Sequence, residues 1–337
     1  MSENLKRIYI ITGAAGHLGS TILRDLKDTD VQIRALILPN EKPLVTSSNI
    51  SYYKGDVTDK ESLRPLFLDI DPTNTYVIHM AAIISIDRKI TPLIYNVNVG
   101  GTKNMVDLSV EYHIKKFIHV SSVHSIPELK DNALQTEISF YDPFLVKGAY
   151  SKTKAEAAEY VLDQVRIHGL DATIILPSGI IGPYDLGHNF LSQTIINYLQ
   201  GKIPASVKGG YNFVDVRDVA KAIITSLDKG KMGESYLITG AYSSITDILT
   251  DAANIYGIKP PKTLPMWLAK FSAPILALIA KVRRVRPLYT SYALDTLKSN
   301  ANFSSMKAQK NLDFNPRPIT ETLLDMIKWL KMEKVLA

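Results

Sequence analysis

The chain has 337 residues, 46% of them apolar and 21% charged, and contains no cysteine. At roughly 150 residues per domain this is more than one ordinary unit, and the mix is that of a globular protein. The missing cysteines exclude a disulfide framework, a thiol nucleophile, iron–sulfur clusters and thiolate metal sites, and they fit a cytoplasmic location. The net charge of +6 favours anionic partners. No finger, basic zipper or aromatic-basic signature accompanies it, so no nucleic acid is expected.

The start passes from charged residues into a short apolar run ending at Gly13, without the long apolar core of a secretory signal. No apolar run approaches about 18 residues, so no transmembrane segment is expected. Apolar, β-branched runs follow at Arg7–Ile11, Val31–Leu38, Ile50–Lys54, Tyr76–His79, Lys116–Val120 and Ala172–Leu176. Between them Leu18–Lys27, Lys60–Asp69, Asn96–His113 and Tyr150–His168 repeat apolar residues near a 3.6 period, which predicts helices. This alternation predicts an α/β fold of βαβ units, with a mostly parallel sheet and ligands beyond the carboxyl ends of its strands. After residue 180 the pattern weakens. Phe213–Ser226 and Tyr236–Thr239 read as a helix and a strand returning to the sheet, while Ile181–Asn212 and the tail from Ala241 read as loops and helices. The expected organisation is one unit over 1–180, rejoined by 213–240, and a smaller, mostly helical lobe over 181–212 and 241–337.

The run Gly13-Ala14-Ala15-Gly16-His17-Leu18-Gly19 stands between the first strand and the first helix. Glycines there let the backbone turn tightly and approach a pyrophosphate, which rests on unpaired N–H groups at the helix start. Gly13, Ala15, Gly16, His17, Leu18 and Gly19 are therefore candidate dinucleotide contacts, with the His17 side chain facing solvent or phosphate. An acid at the end of the second strand would favour NAD, and an arginine NADP. Leu38 stands there; nearby Arg34 and Lys42 tilt the reading toward NADP, and Glu41 opposes it.

Tyr150 and Lys154 are four residues apart and share one helical face. An ammonium beside a phenol lowers its pKa from near 10, so that it can exchange a proton with a carbinol or carbonyl oxygen while hydride moves to or from nicotinamide. Ser122 ends the strand Lys116–Val120 plus Ser121, where a hydroxyl can hold that oxygen. His79 lies at a strand end beside the cofactor turn, and His124 is either a substrate contact or an ordinary loop residue. No histidine–carboxylate cluster suggests a metal.

At this point the chain resembles the extended-type short-chain dehydrogenases/reductases, the family of NAD-dependent epimerases/dehydratases, 3β-hydroxysteroid dehydrogenases and dihydroflavonol reductases. The residues that carry the resemblance are Thr12 to Gly19, Gly55-Asp56-Val57-Thr58-Asp59, His79-Met80-Ala81-Ala82, Asn98 to Thr102, Ser121-Ser122, Tyr150 to Lys154, Pro177 to Pro183 and Phe213 to Ala220. The resemblance implies a Rossmann-type doubly wound sheet. It also implies that Asp56 and Val57 flank adenine, Ala81 and Ala82 line the cofactor, and Ser122, Tyr150 and Lys154 form a catalytic triad. Lys154 and Asn98 would meet the nicotinamide ribose, with Pro177, Gly179 and Ile180 bordering the nicotinamide.

Two departures narrow the chemistry. Dehydratases of this family carry an Asp-Glu pair after the catalytic hydroxyl residue, where this chain has Val123-His124. Sugar-nucleotide epimerases place an asparagine after the sixth strand, where this chain has Leu176-Pro177. The tail, from Leu264-Pro265-Met266-Trp267 to Trp329, is similar to the reductase and hydroxysteroid dehydrogenase branch, and an apolar lobe suits a lipophilic ketone or alcohol. Ser85, Ile86, Tyr184, His188, Phe190 and Tyr289 are candidate substrate contacts. Pro265–Arg286 reads either as a helix pair closing the lobe or as a peripheral membrane contact, and family resemblance implies a homodimer through a helix bundle that includes the helix from Tyr150. The expected activity is hydride transfer between NAD(P)(H) and a steroid- or flavonoid-like alcohol or ketone. A sugar epimerase and a dinucleotide-binding regulatory protein are the alternatives.

Overall fold

The computed structural model describes residues 6–336 except 86, 87, 188, 204, 266–296 and 298. Ile86, His188, Tyr289 and nearly all of Pro265–Arg286 therefore lie outside the described residues. The first half runs β1 (Arg7–Thr12), α1 (His17–Leu26), β2 (Val31–Ile37), β3 (Ile50–Lys54), α2 (Lys60–Leu63), β4 (Thr75–His79), α3 (Pro92–Tyr95), α4 (Gly101–Glu111), β5 (Lys116–Val120), α5 (Ala149–His168) and β6 (Ala172–Pro177). There follow β7 (Gly179–Ile181), α6 (Phe190–Leu199), β8 (Ala205–Val207), β9 (Gly210–Asp215), α7 (Val216–Lys229), β10 (Ser235–Ile238), β11 (Ala241–Ser244), α8 (Ile245–Tyr256) and β12 (Lys262–Leu264). The described tail adds α9 (Met306–Leu312) and α10 (Ile319–Met332).

Seven strands form one sheet in the order β3-β2-β1-β4-β5-β6-β10, with every pairing parallel. All residues of β4, β5 and β6 are buried, as expected of strands covered on both faces. Ile8, Ile10, Val77 and Phe117 pack with Met105 and Val106 of α4 and Ala158 and Val161 of α5. On the other face Tyr9, Ile11, Ile78 and Ile118 meet Ile22 and Leu23 of α1 and Val219 and Ile223 of α7. The strand order reverses between β1 and β4, so the carboxyl ends of β1, β4 and β5 open onto one crevice, the usual ligand position of such sheets. A third core joins Ile195 and Leu199 of α6, Leu249 of α8 and Leu323 and Ile327 of α10.

Three expected elements differ. Pro65 splits the predicted Lys60–Asp69 helix into α2 and a 3-10 turn over Arg64–Phe67, because proline lacks the amide that would continue the ladder. The predicted Asn96–His113 helix begins as a π-turn over Asn96–Gly100. Phe213–Asp215 is extended within β9, which pairs with β7 and β11 in a separate small sheet. The helix starts only at Val216, where the Asp215 carboxylate caps the Arg217 amide. Arg217 also bonds Asp325 at 2.8 Å and Arg317 bonds Asp218 at 2.8 Å, tying α7 to α10 and the segment before it.

Candidate active site

The site starts at the end of β1. Gly13 has φ +70° and turns the chain so that an added Cβ would lie 3.0 Å from the Ala81 amide nitrogen. At Gly19 a Cβ would lie 2.2 Å from the Gly13 carbonyl oxygen, so only glycine lets α1 lie against the turn. No side chain caps α1 at Gly16 and its first turn holds no acid. The uncapped amides and the cleared cradle fit a pyrophosphate. Ala15 and Leu18 are half-buried and pack under the turn. The His17 side chain faces neither solvent nor this cradle: its Nε2 bonds the Pro183 carbonyl at 2.8 Å.

A chain of polar groups fixes the crevice floor. The Thr12 hydroxyl accepts the Met80 and Ala81 amides at 3.1 and 3.2 Å and bonds His79 Nδ1 at 2.8 Å. His79 Nε2 meets the Thr102 hydroxyl at 3.0 Å, and that hydroxyl donates to the Asn98 carbonyl at 2.7 Å. Only the tautomer with hydrogen on Nε2 satisfies every group. Burial, aided by the Lys154 charge, draws the His79 pKa to about 3, so it is neutral. His119, its register partner on β5, stacks on it at 5.8 Å. It is fully buried, and neither ring nitrogen has a hydrogen-bond partner.

Two expected cofactor contacts are spent elsewhere. The Arg34 guanidinium is buried and donates to the carbonyls of Leu66, at 3.1 Å, Leu68 and Asp69. It closes the end of the 3-10 turn, and although its Nε has no partner the whole side chain is buried and not presented to a 2′-phosphate. Asn98 is buried in the π-turn, where its amide accepts from Ile83 N at 2.7 Å and donates to Ile83 O and Thr153 Oγ1, both at 3.0 Å. It positions the strand exit and α5 instead of meeting a ribose. Lys42 is exposed, and the Glu41 carboxylate folds back onto the Leu38 amide at 2.8 Å, at the end of β2. Asp56 is half-buried and accepts the Thr58 amide and hydroxyl at 2.9 Å. Val57 is seated on Gly101, where a Cβ would approach it to 2.6 Å. Ala81 and Ala82 are half-buried directly after β4. Pro177 ends β6, while Gly179 and Ile180 open β7 against β9.

Ser122, Tyr150 and Lys154 come together where β5 ends and α5 begins. Ser122 accepts the His124 amide at 3.2 Å, and its hydroxyl lies beside the Tyr150 phenol and opposes the rise of its pKa. Lys154 is 2% exposed and its Nζ donates to the Val120 carbonyl at 2.6 Å. The expected lowering of the phenol does not occur in this state. Burial pushes Tyr150 up to about 12, with the Ser122 hydroxyl opposing. The reason is shared desolvation: the same dry surroundings draw Lys154 down to about 7, so its ammonium is only partly charged at neutral pH.

The expected substrate contacts divide. Ser85 is half-buried in the loop after β4, and Phe190 is half-buried at the start of α6. Tyr184 is a wedge, its ring between the Arg24 guanidinium at 4.7 Å and Trp329 at 6.1 Å. A cavity of about 890 Å³ lies beside these elements, lined among others by Asn132, Lys208, Asn212, Tyr242, Leu297 and Phe303. Among the described residues none of the expected contacts lines it; the pairing of β9 with β11 that builds one wall was not visible in the hydropathy pattern. His124 is exposed in the 3-10 turn that follows β5. Among the described residues no group of three His, Cys, Asp or Glu side chains could hold a metal, and no helix is long and apolar enough to cross a membrane.

The glycine turn, the parallel sheet and the Ser–Tyr–Lys cluster coincide with a family model, that of the NAD dependent epimerase/dehydratase family, matched over residues 9–239. The chain belongs to that family. As an extended-type short-chain dehydrogenase/reductase it is similar to sterol demethylase protein B of Methylococcus capsulatus, 27% identical over 96% of this chain and 98% of that one. It is likewise similar to a putative dihydroflavonol 4-reductase of Synechocystis, 27% identical over 96% and 94%. Among solved structures, gox2253 is 29% identical with a TM-score of 0.82 over 98% of this chain and 100% of that chain. Thermus thermophilus UDP-glucose 4-epimerase with NAD shares the fold at TM-score 0.74 and 19% identity, over 96% and 99%. The family places this chain among NAD-dependent oxidoreductases and lyases that act on small molecules.

Proposed function

We propose that the protein is a reductase or dehydrogenase that moves hydride between a nicotinamide dinucleotide and a secondary alcohol or ketone of a lipophilic small molecule. The observation that carries the reading is the gathering of Ser122, Tyr150 and Lys154 beside an uncapped glycine turn. The bound dinucleotide supplies the hydride donor or acceptor. Gly13, Gly16 and Gly19 hold its pyrophosphate, Asp56 and Val57 border its adenine, and Ala81, Ala82, Pro177, Gly179 and Ile180 line the remainder. Tyr150, protonated at neutral pH, donates to a carbonyl oxygen in the reductive direction, while the Ser122 hydroxyl holds that oxygen. In the oxidative direction the phenol must lose its proton, and a charged Lys154 favours that loss. With Arg34 spent inside and Glu41 at the end of β2, the reading favours NAD(H) over the NADP(H) suggested by sequence. The named relatives, one for sterols and one for a flavonoid, support the lipophilic substrate class. Residues 181–212 and 241–337 form the substrate lobe in this reading. A cytoplasmic homodimer completes it, supported by family resemblance.

Tyr150→Phe tests the mechanism on a panel of steroid and aromatic ketones with NADH and NADPH. The expected result is a fall in turnover of about 10²–10⁴ with dinucleotide affinity unchanged. Unchanged turnover would refute the assignment. Tightly copurifying dinucleotide without net turnover would point to an epimerase instead.

A further inference from the structure

His17 belongs to two structures at once. Its backbone is the first residue of α1, inside the glycine turn. Its imidazole reaches across to the turn after β7, with Nε2 at 2.8 Å from the Pro183 carbonyl and Nδ1 at 3.5 Å from Asn189 Nδ2. A carbonyl only accepts, so Nε2 carries the hydrogen and Nδ1 is left to accept from the Asn189 amide. The second nitrogen is used in only one protonation state, the neutral one. Burial favours that state, against the Asp185 and Asp215 carboxylates that face the ring.

Asn189 is itself a junction. Its Oδ1 accepts the Leu191 and Ser192 amides at 3.0 Å and so caps α6. Its backbone N–H donates to the Asp185 carboxylate at 2.7 Å, and its Nδ2 also reaches the Ile180 carbonyl at 3.4 Å. The start of α6 is thus linked to the glycine turn through one imidazole and one carboxamide, with no intervening loop. A Phe at position 17 would fill the same space and make neither bond.

We propose that His17 is a positioning residue that couples occupancy of the glycine turn to the start of α6, so that the dinucleotide sets one wall of the substrate site. This rests on the reading above that the glycine turn holds a dinucleotide. A dinucleotide phosphate on the uncapped amides fixes the first turn of α1, which fixes the His17 ring, which orders Pro183, Asn189 and the α6 cap. Without the imidazole the two events become independent.

Hydrogen exchange tests this, read at the Leu191 and Ser192 amides with and without saturating NADH or NADPH. Protection of those amides is expected to rise about threefold or more on binding in the natural protein. In His17→Phe, dinucleotide affinity is expected to stay within about threefold while that gain disappears, and the KM of a ketone substrate is expected to rise about tenfold with little change in kcat, as for one lost hydrogen bond. His17→Gln, whose amide can donate to Pro183, restores the gain. A His17→Phe protein that binds dinucleotide and keeps the full gain overturns the coupling. So does a natural protein that binds dinucleotide without protecting α6, which leaves the dehydrogenase reading intact. A natural protein that binds neither dinucleotide overturns both.

Discussion

Lys154→Met changes stability with a sign that depends on pH. In the folded chain Lys154 is 2% exposed and titrates near 7 against an ordinary value of 10.5. Below pH 7 the group is charged in both states and the fold bears the full desolvation penalty. Between 7 and 10.5 only the unfolded chain stays protonated, so the penalty shrinks as pH rises and natural-protein stability climbs. Above 10.5 the penalty is gone. At 1.36 kcal/mol per unit, a shift of about 3.5 units sets a ceiling of about 5 kcal/mol. Methionine keeps the buried stem but leaves the Val120 carbonyl unpaired, a loss of about 1–3 kcal/mol. The variant is therefore expected to be more stable by about 2–4 kcal/mol at pH 6 and, with roughly half a unit of the penalty still present, less stable by up to about 2 kcal/mol at pH 10. With an unfolding entropy of about 2.1 cal/mol/K per residue, a 3 kcal/mol gain raises Tm by about 4 °C. Differential scanning calorimetry of both proteins without dinucleotide, from pH 6 to 10, measures the crossing. An offset of one sign and constant size across that range would refute a depressed Lys154 and, with it, the explanation of why the Tyr150 phenol is not lowered.

Gly19→Ala forces its Cβ to within 2.2 Å of the Gly13 carbonyl, so calorimetric titration is expected to show dinucleotide affinity falling by about 100-fold or more; retained affinity would mean the cradle is not the phosphate site. Arg34→Met strands the carbonyls of Leu66, Leu68 and Asp69. It is expected to lower stability by about 2–4 kcal/mol in denaturant while leaving the ratio of NADH to NADPH affinity unchanged. A shift in that ratio would restore Arg34 as a phosphate ligand.

What the sequence disclosed depended on how local each signal was. The strands of the main sheet were legible to within about a residue, the central β4, β5 and β6 because both their faces are covered and their apolar runs are nearly unbroken. The clustering of Ser122, Tyr150 and Lys154 was legible because strand ends and helical spacing place all three. Arg34 was misread because its partners lie 32 to 35 positions away, in a turn whose course depends on Pro65. The surroundings of Tyr184 were not legible because α10 supplies the Trp329 ring beside it. The phenol's raised pKa was misread because four-residue spacing conveys proximity and says nothing of the desolvation both groups share.

The links from Thr12 through His79 and Thr102 to the Asn98 carbonyl all run in one direction, each group donating to the next. Such a one-way chain is polarised along its length, and each bond strengthens its neighbours. Its members consequently act as a single energetic unit. Replacing Thr12, His79 or Thr102 alone reverses or breaks a donor for the next in line, so paired replacements should depart from additivity even though the residues lie on three separate elements. Anyone grafting this cofactor turn into another sheet would have to move all of them together.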